Sequence, residues 1–130
     1  MTRINCGIPP DQLSDKHLLA EHREIKRIPN AVRRGKFNMD KQPAEFTLGT
    51  GHVKFFYDKL LYLKNRYDSL YAECQNRKFN VTYFGDAWNN VPLKYMNDYN
   101  STLRDIDIVQ KRLDEKNGVG KGQIIIKLSR

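Results

Sequence analysis

In the first third of the chain, apolar residues recur at helical spacing among polar ones. One helix face is predicted to contain Leu18, His22, Ile25, Pro29 and Val32, which recur every three or four residues. Ser14 can cap the start of this helix, and the acidic Asp15 suits a first helical turn. Proline has no amide hydrogen, so Pro29 is expected to kink or end the helix near Ile28.

Two further stripes predict two more helices. The second helix follows Gly49 and Gly51, and its buried stripe is predicted to be Val53, Phe56, Leu60, Leu63, Tyr67, Leu70 and Cys74. The third can be capped by Ser101 and is expected to end at Lys116 and Gly118. Its predicted buried stripe is Leu103, Ile106, Val109 and Leu113.

The segments between these stripes lack helical periodicity. Residues 1–12 contain Gly7, Pro9 and Pro10 and are predicted to form an extended arm. A basic loop begins at residue 33 and runs to about residue 47. Residues 79–100 are predicted to be a long connection packed by Phe84, Trp88 and Tyr95, and residues 123–128 a short strand or extended packed segment. The pattern predicts an all-α, single compact domain over residues 1–130, with three main helices, an extended N-terminal arm and irregular loops.

Composition narrows the possible partners. The chain has 130 residues, 39% of them hydrophobic, which is enough for one modest core. With 23 lysines and arginines against 15 acidic residues, the formal net charge is +8. Such a basic protein is expected to meet nucleic acid, an anionic membrane or an acidic protein. No apolar run is long enough to span a membrane, and no signal peptide is visible. Cys6 and Cys74 fit reduced thiols in a soluble intracellular protein.

The start of the chain carries candidate chemistry. A small residue at position 2 usually leads to removal of Met1, which would give Thr2 a free α-amine. An unperturbed α-amine has a pKa of about 7.7–8.0 against about 10.4 for lysine, so far more of it is neutral and nucleophilic near pH 7. The positive charges of Arg3, Arg23 and Arg27 would further favour the neutral amine.

Several stretches of sequence resemble the T-even phage endonuclease V family of pyrimidine dimer DNA glycosylases with AP lyase activity. The N-terminal block comprises residues 1–5 and 15–24. The resemblance continues at residues 48–60, which read LGTGHVKFFYDKL, and at residues 72–74, 79–80 and 112–116. The N-terminal block and the GHVKFFYDKL run are together highly specific, and they occur in the family's order.

The resemblance implies an all-α fold and assigns two catalytic residues. The Thr2 amine would attack the anomeric carbon of the damaged nucleotide and form a Schiff base, and β-elimination would then cut the strand. Glu24 would stabilise positive charge on the sugar and assist proton movement. Family analogy makes Glu21 structural, as an ion-pair partner for a neighbouring arginine. No cofactor is implied, because the amine itself acts as the electron sink.

The resemblance also implies a DNA-binding surface, made by Arg3, His17, Arg23, Arg27, Arg112 and Lys116. Arg23 and Arg27 are four residues apart, as are Arg112 and Lys116, so two pairs on helix faces could form a phosphate clamp. The partner is expected to be double-stranded DNA, preferably damaged, bound by a monomer without a membrane. The histidines lack metal-ligand spacing, so no metal is expected. His22 is expected to pack or cap, and His52 to be structural.

Other interpretations remain open at this level. A glutamate beside an arginine is most often a solvated ion pair, and basic residues on a helix often only face water. Residues 119–127 contain no aromatic side chain, whereas the family's tail is aromatic. The chain could therefore be a glycosylase or lyase for other lesions or abasic sites only, or a non-catalytic DNA-binding relative.

Overall fold

A computed structural model describes residues 2–117 of the chain. These residues contain five α-helices and no strand, which confirms the all-α prediction. The α-helices are α1 (Asp15–Glu24), α2 (Arg27–Arg33), α3 (His52–Phe55), α4 (Leu60–Asn76) and α5 (Leu103–Lys116). Three short 3-10 turns lie at Pro10–Gln12, Gly85–Trp88 and Leu93–Tyr95. Within this part of the chain, no helix has the length and hydropathy needed to cross a membrane.

The core is built around α4. Its buried face contributes Leu60, Leu63, Tyr67, Leu70 and Cys74, each fully buried, and α1 packs directly against it. The extended arm belongs to the same core, because Ile4, Cys6 and Ile8 are at most 2% exposed. Burying an isoleucine contributes roughly 1.5–3 kcal/mol, so the arm is held by its side chains as firmly as a core element.

The first predicted helix is broken earlier than expected. Pro29 was predicted to kink or end it near Ile28, but α1 ends at Glu24 and α2 begins at Arg27. Pro29 is buried in the first turn of α2, where amide hydrogens have no partner within the helix. The break therefore lies at Ile25 and Lys26, before the proline rather than at it.

The second predicted helix is two helices, α3 and α4, separated by a turn between Phe56 and Lys59. The side chain of Gln42 holds this turn open. Its amide nitrogen lies 3.2 Å from the Lys54 carbonyl oxygen, 3.1 Å from that of Phe55 and 2.9 Å from Oδ1 of Asp58. These contacts satisfy the end of α3, and the apolar stripe continues into α4 despite the interruption.

The start of α5 also differs from prediction. Thr102, not Ser101, is its N-cap, because Thr102 and Asp105 form a capping box in which each side chain bonds the other residue's amide. Leu103 is 86% exposed and does not belong to the buried stripe, whereas Val109 and Leu113 do. Of the three side chains predicted to pack the long connection, Trp88 is buried, but Phe84 is 42% exposed. The predicted helix end at Gly118 and the predicted segment at residues 123–128 lie outside the described residues.

Candidate active site

A cleft of about 240 Å³ lies between the arm, α1 and α5. The arm contributes Arg3 and Asn5, α1 contributes Lys16, His17, Ala20, Glu21 and Glu24, and α5 contributes Arg112 and Lys116. Ala20 and Glu24 are four residues apart, as are Arg112 and Lys116, so each helix presents one face to the cleft. Three separate parts of the chain therefore converge on a small space that contains five basic side chains and two glutamates.

The floor of the cleft is a closed polar network of Asn5 and Glu21, which line the cleft, and of Arg66, which pairs with Glu21 from outside the lining. Glu21 is 1% exposed, and Arg66 is 8% exposed. One oxygen of Glu21 accepts a hydrogen bond from Asn5 Nδ2 at 2.8 Å and another from Arg66 Nη2 at 3.0 Å. Arg66 Nε donates to the second oxygen. The network therefore occupies both oxygens of Glu21.

Arg66 also ties the floor to the arm, because its Nη1 donates to the Ile8 carbonyl oxygen at 2.9 Å. Burial alone would lower the pKa of this guanidinium, but the charge of Glu21 and its hydrogen bonds outweigh that effect and raise the pKa. Glu21 is thus a structural ion-pair partner, as expected, but its arginine comes from α4 and is not a neighbour in sequence.

The rim of the cleft, unlike the floor, leaves its carboxylate without a strong ion pair. The rim is formed by Arg3, Lys16, His17, Glu24, Arg112 and Lys116. The side chain of Glu24 is 13% exposed, and its contact with Arg23 Nη2 is 3.3 Å long. Arg23 is itself 62% exposed, so this ion pair is a weak one at the protein surface. Glu24 therefore keeps a carboxylate available to the cleft, whereas Glu21 does not.

The cations of the rim are close enough to perturb one another. Burial lowers the pKa of Arg112, and the positive charge of Arg3 lowers it further. Burial also lowers the pKa of His17, with additional contributions from Arg112, Lys16 and Lys116. His17 is fixed at the start of α1, where its Nδ1 lies 2.8 Å from the Ser14 hydroxyl. Like charges held together in this way favour binding of an anion that relieves their repulsion.

The structure brings together five of the eight residues predicted for the site: Arg3, His17, Glu24, Arg112 and Lys116. Thr2 is half-buried and directly precedes Arg3, so its Cα lies about 3.8 Å from that of Arg3. Lys16 belongs to the same lining but was not predicted. Its position next to His17 on α1 was the available signal.

Arg23 and Arg27 do not line the cleft. Arg23 lies in a neighbouring depression with His22, Lys26 and Phe84, whereas Arg27 lies in another with Arg34 and Lys36. The predicted double clamp assumed that both arginines sit on one continuous helix. Because α1 ends at Glu24 and α2 begins at Arg27, that regular spacing is lost between them.

The other histidines lie in the core. His22 is 5% exposed and stacks on Tyr67 with ring centroids 5.0 Å apart, as its predicted packing role requires. His52 is 2% exposed and bonds the arm. Over residues 2–117, no three His, Cys, Asp or Glu side chains come together as a metal site would need.

A cationic cleft on a small basic protein is suited to binding a polyanion. The family model for pyrimidine dimer DNA glycosylase matches residues 1–84. The chain belongs to the pyrimidine dimer DNA glycosylase family, whose substrate is DNA. The matched residues include the arm and α1, which carry Thr2, Arg3 and Glu24. Helix α5, which supplies Arg112 and Lys116, lies beyond the match.

Proposed function

We propose that this protein is a DNA repair glycosylase with AP lyase activity, which acts at ultraviolet-induced pyrimidine dimers through the α-amine of Thr2. The observation that carries the proposal is that Arg3 and Glu24 line one cleft. Thr2 directly precedes Arg3 in the chain. Its amine is therefore within a few ångströms of the backbone of Arg3, whose side chain lines the same cleft as Glu24. The family supports the glycosylase activity, and this geometry supports the covalent mechanism.

The proposed reaction begins when the lone pair of the Thr2 nitrogen attacks C1′ of the damaged nucleotide. The C1′–N bond breaks, and its electron pair leaves with the base, which gains a proton. Loss of the amine protons and opening of the sugar ring give an imine between Thr2 and C1′. Removal of a C2′ proton then breaks the C3′–O bond by β-elimination, and the 3′ phosphate departs.

Glu24 serves this reaction as an electrostatic and acid–base group. Positive charge develops on the sugar as the base departs, and a carboxylate held nearby stabilises it. The same carboxylate can accept a proton during imine formation or elimination. Glu21 is unsuited to either role, since its two oxygens are already occupied by Asn5 and Arg66.

The basic side chains of the rim are proposed to hold the phosphates on either side of the lesion. Arg3, Lys16, Arg112 and Lys116 surround the carboxylate, so DNA phosphates bound there would place the sugar between Glu24 and the amine. The predicted DNA contacts of Arg23 and Arg27 belong to the same proposal. These two arginines would meet the duplex outside the cleft.

The protein is further proposed to act as a monomer and as one domain. Buried residues from Ile4 in the arm to Leu113 in α5 form one hydrophobic cluster. The cleft is lined from three parts of this chain, the arm, α1 and α5.

Borohydride trapping tests the mechanism, because it reduces the imine to a stable covalent adduct. The protein should be incubated with ultraviolet-irradiated duplex DNA after mass spectrometry has established which residue is first. Protein that begins at Thr2 should give an adduct, whereas protein that retains Met1 should not. Glu115→Gln, at an exposed acidic position on α5, is the matched control for substitution of Glu24 and should trap normally. Absence of an adduct with Met-processed protein would reject the covalent mechanism.

The lesion specificity needs a second comparison, because residues 119–127 lack the aromatic side chains of the family's tail. Aliphatic side chains do not stack on bases as aromatic rings do. Trapping on duplexes that contain either a pyrimidine dimer or an abasic site separates the two activities. Adducts on abasic DNA alone would make the protein a lyase for abasic sites. Equal affinity for damaged and undamaged duplex without any adduct would make it a DNA-binding relative.

A further inference from the structure

The arm is fixed near its start by a hydrogen bond to a buried histidine. The Ile4 amide donates to Nε2 of His52 at 2.9 Å, across 48 positions of sequence. On the other side of the ring, Nδ1 of His52 lies 2.8 Å from the Thr47 carbonyl oxygen. A carbonyl oxygen only accepts hydrogen bonds, so Nδ1 carries the proton and Nε2 is the acceptor. The imidazole that makes both bonds is therefore neutral.

This contact is the closest one to Thr2 among the arm's hydrogen bonds within residues 2–117. Farther along the arm, hydrogen bonds join Asn5 to Glu21, the Cys6 thiol to the Ser101 hydroxyl at 3.2 Å, the Gly7 amide to the Tyr62 hydroxyl at 3.3 Å, and Arg66 to Ile8. Those bonds fix the arm from residue 5 onward. Only the His52 bond acts on the peptide two residues from the proposed nucleophile.

We propose that His52 is a positioning residue, which places the Thr2 amine beside Glu24 by accepting the Ile4 amide and releases it when the imidazole is protonated. This inference rests on the proposed covalent mechanism. Protonated His52 has hydrogens on both ring nitrogens, so Nε2 would face the Ile4 amide donor to donor. The arm would then lose its register while its buried isoleucines still hold it to the core.

The charged and polar groups around His52 come from four parts of the chain. Burial lowers the pKa of His52, and the positive charges of Arg3 in the arm and Arg112 in α5 lower it further. The Thr47 carbonyl and the Glu21 carboxylate from α1 act in the opposite direction but do not outweigh those effects. Two rings, Phe46 and Phe56, pack edge-on against the imidazole with centroids 5.3 and 5.7 Å away. His52 therefore stays neutral near pH 7, and the bond to Ile4 is broken only in acid.

Two variants separate positioning from packing. His52→Leu removes the acceptor and leaves the Ile4 amide without a partner. His52→Gln offers an amide oxygen at the same place and does not titrate. A displacement of about 1 Å can cost about 10²-fold in rate, so His52→Leu should trap about 10²-fold more slowly on an abasic duplex. His52→Gln should recover most of that rate and should bind the duplex within about twofold of the unmodified protein, because it restores the position of the arm that carries Arg3.

The pH dependence provides a readout that a purely structural role would not change. In the unmodified protein, protonation of the amine slows trapping as pH falls, and protonation of His52 slows it again in more acidic solution, because burial lowers the pKa of His52 below the ordinary imidazole value. In His52→Gln only the first effect remains. The ratio of the unmodified rate to the His52→Gln rate should therefore decrease as pH falls below 6.5. Val109→Ala serves as a control for loss of stability alone, since it removes buried apolar volume on α5 and no hydrogen bond to the arm.

The outcomes are distinguishable from failure of the proposed function. If the unmodified protein forms no adduct, the covalent mechanism itself fails. If it forms an adduct and His52→Leu traps at the same rate, the mechanism stands and the positioning role is rejected. The role is also rejected if Val109→Ala slows trapping as much as His52→Leu at equal loss of stability, or if the rate ratio does not depend on pH.

Discussion

The floor and the rim of the cleft each contain a glutamate from α1, and the two carboxylates differ in their burial and in their hydrogen-bond partners. Glu21, in the floor, is 1% exposed and accepts hydrogen bonds from Asn5 and Arg66. Within residues 2–117, Glu24, in the rim, has only a long contact with an exposed arginine. Three residues of one helix therefore separate a neutralised carboxylate from one that faces five basic side chains of the rim.

Within a single cleft, the floor therefore contributes to stability, whereas the rim is available for chemistry. A buried ion pair with complete hydrogen bonding fixes geometry, but its groups are not free to bind a substrate. The rim has the opposite properties, because its cations repel one another until an anion arrives. The floor attaches the arm to α1 and α4, and the rim depends on that attachment for the position of Arg3 and Thr2.

Glu24→Gln is the strongest test of the different roles of the two glutamates. Removing the charge while keeping the shape should reduce glycosylase and lyase rates about 10³- to 10⁴-fold, equivalent to about 4–5.5 kcal/mol. The urea midpoint should not change, since Glu24 has only a surface ion pair. Single-turnover kinetics and equilibrium unfolding measure the two properties on the same preparation. A near-normal rate would remove Glu24 from the mechanism.

Arg66→Met should have the converse effect. It leaves Glu21 buried without its cation, which typically destabilises a protein by about 3–5 kcal/mol. Equilibrium unfolding in urea measures this loss. The double variant Glu21→Leu with Arg66→Met removes both charges and should recover part of the stability. If Arg66→Met is as stable as the unmodified protein, the floor is not the structural element that its contacts indicate.

The family resemblance predicted the rim better than the floor. It assigned Arg3, His17, Glu24, Arg112 and Lys116 to the site, and these residues line one cleft. The partner of Glu21 lies 45 residues away on α4, and nothing local marks Arg66 among the other arginines. A contact between distant parts of a chain leaves no periodic signal.

The break between α3 and α4 was missed for a similar reason. The side chain of Gln42 satisfies the end of α3 from a separate loop, so the interruption between α3 and α4 depends on a tertiary partner. The cap of α5, in contrast, was present in the sequence as a threonine followed three residues later by an aspartate. The pattern of Thr102 and Asp105 specifies a capping box, and choosing Ser101 overlooked it.

The contribution of the rim to DNA affinity is expected to depend on salt. Each phosphate contact adds about 0.9 to the slope of log affinity against log salt concentration. Arg112→Gln and Lys116→Gln should therefore each lower that slope by about 0.9. Lys111→Gln is the matched control, because Lys111 is 71% exposed on α5 and pairs with Asp107. Equal slopes for Lys111→Gln and Lys116→Gln would mean that α5 does not contact the backbone through the cleft.

The stability of the fold should decrease in mild acid. Burial lowers the pKa of His17, His22 and His52 in the folded protein, so the unfolded chain binds protons more readily. Stability is therefore complete above the unfolded pKa of about 6.5 and is lost as pH falls through the lowered values. Urea midpoints measured between pH 8 and pH 5 test this. A midpoint that does not change below pH 6.5 would contradict it.

The smallest expected effect comes from His22→Phe, which lies outside both the floor and the rim. His22 stacks on Tyr67, and among the described residues no hydrogen-bond partner lies near its buried Nε2. Phenylalanine keeps the aromatic stack and removes a buried polar atom, so the variant should be more stable by about 1 kcal/mol at pH 7.5. The gain should increase below pH 6.5, because phenylalanine does not titrate. Thermal unfolding at pH 7.5 and at a pH below 6.5 measures this gain in stability, and cleavage rates should not change. A loss of stability, or a gain that does not depend on pH, would show that the imidazole has a polar role that its burial does not reveal.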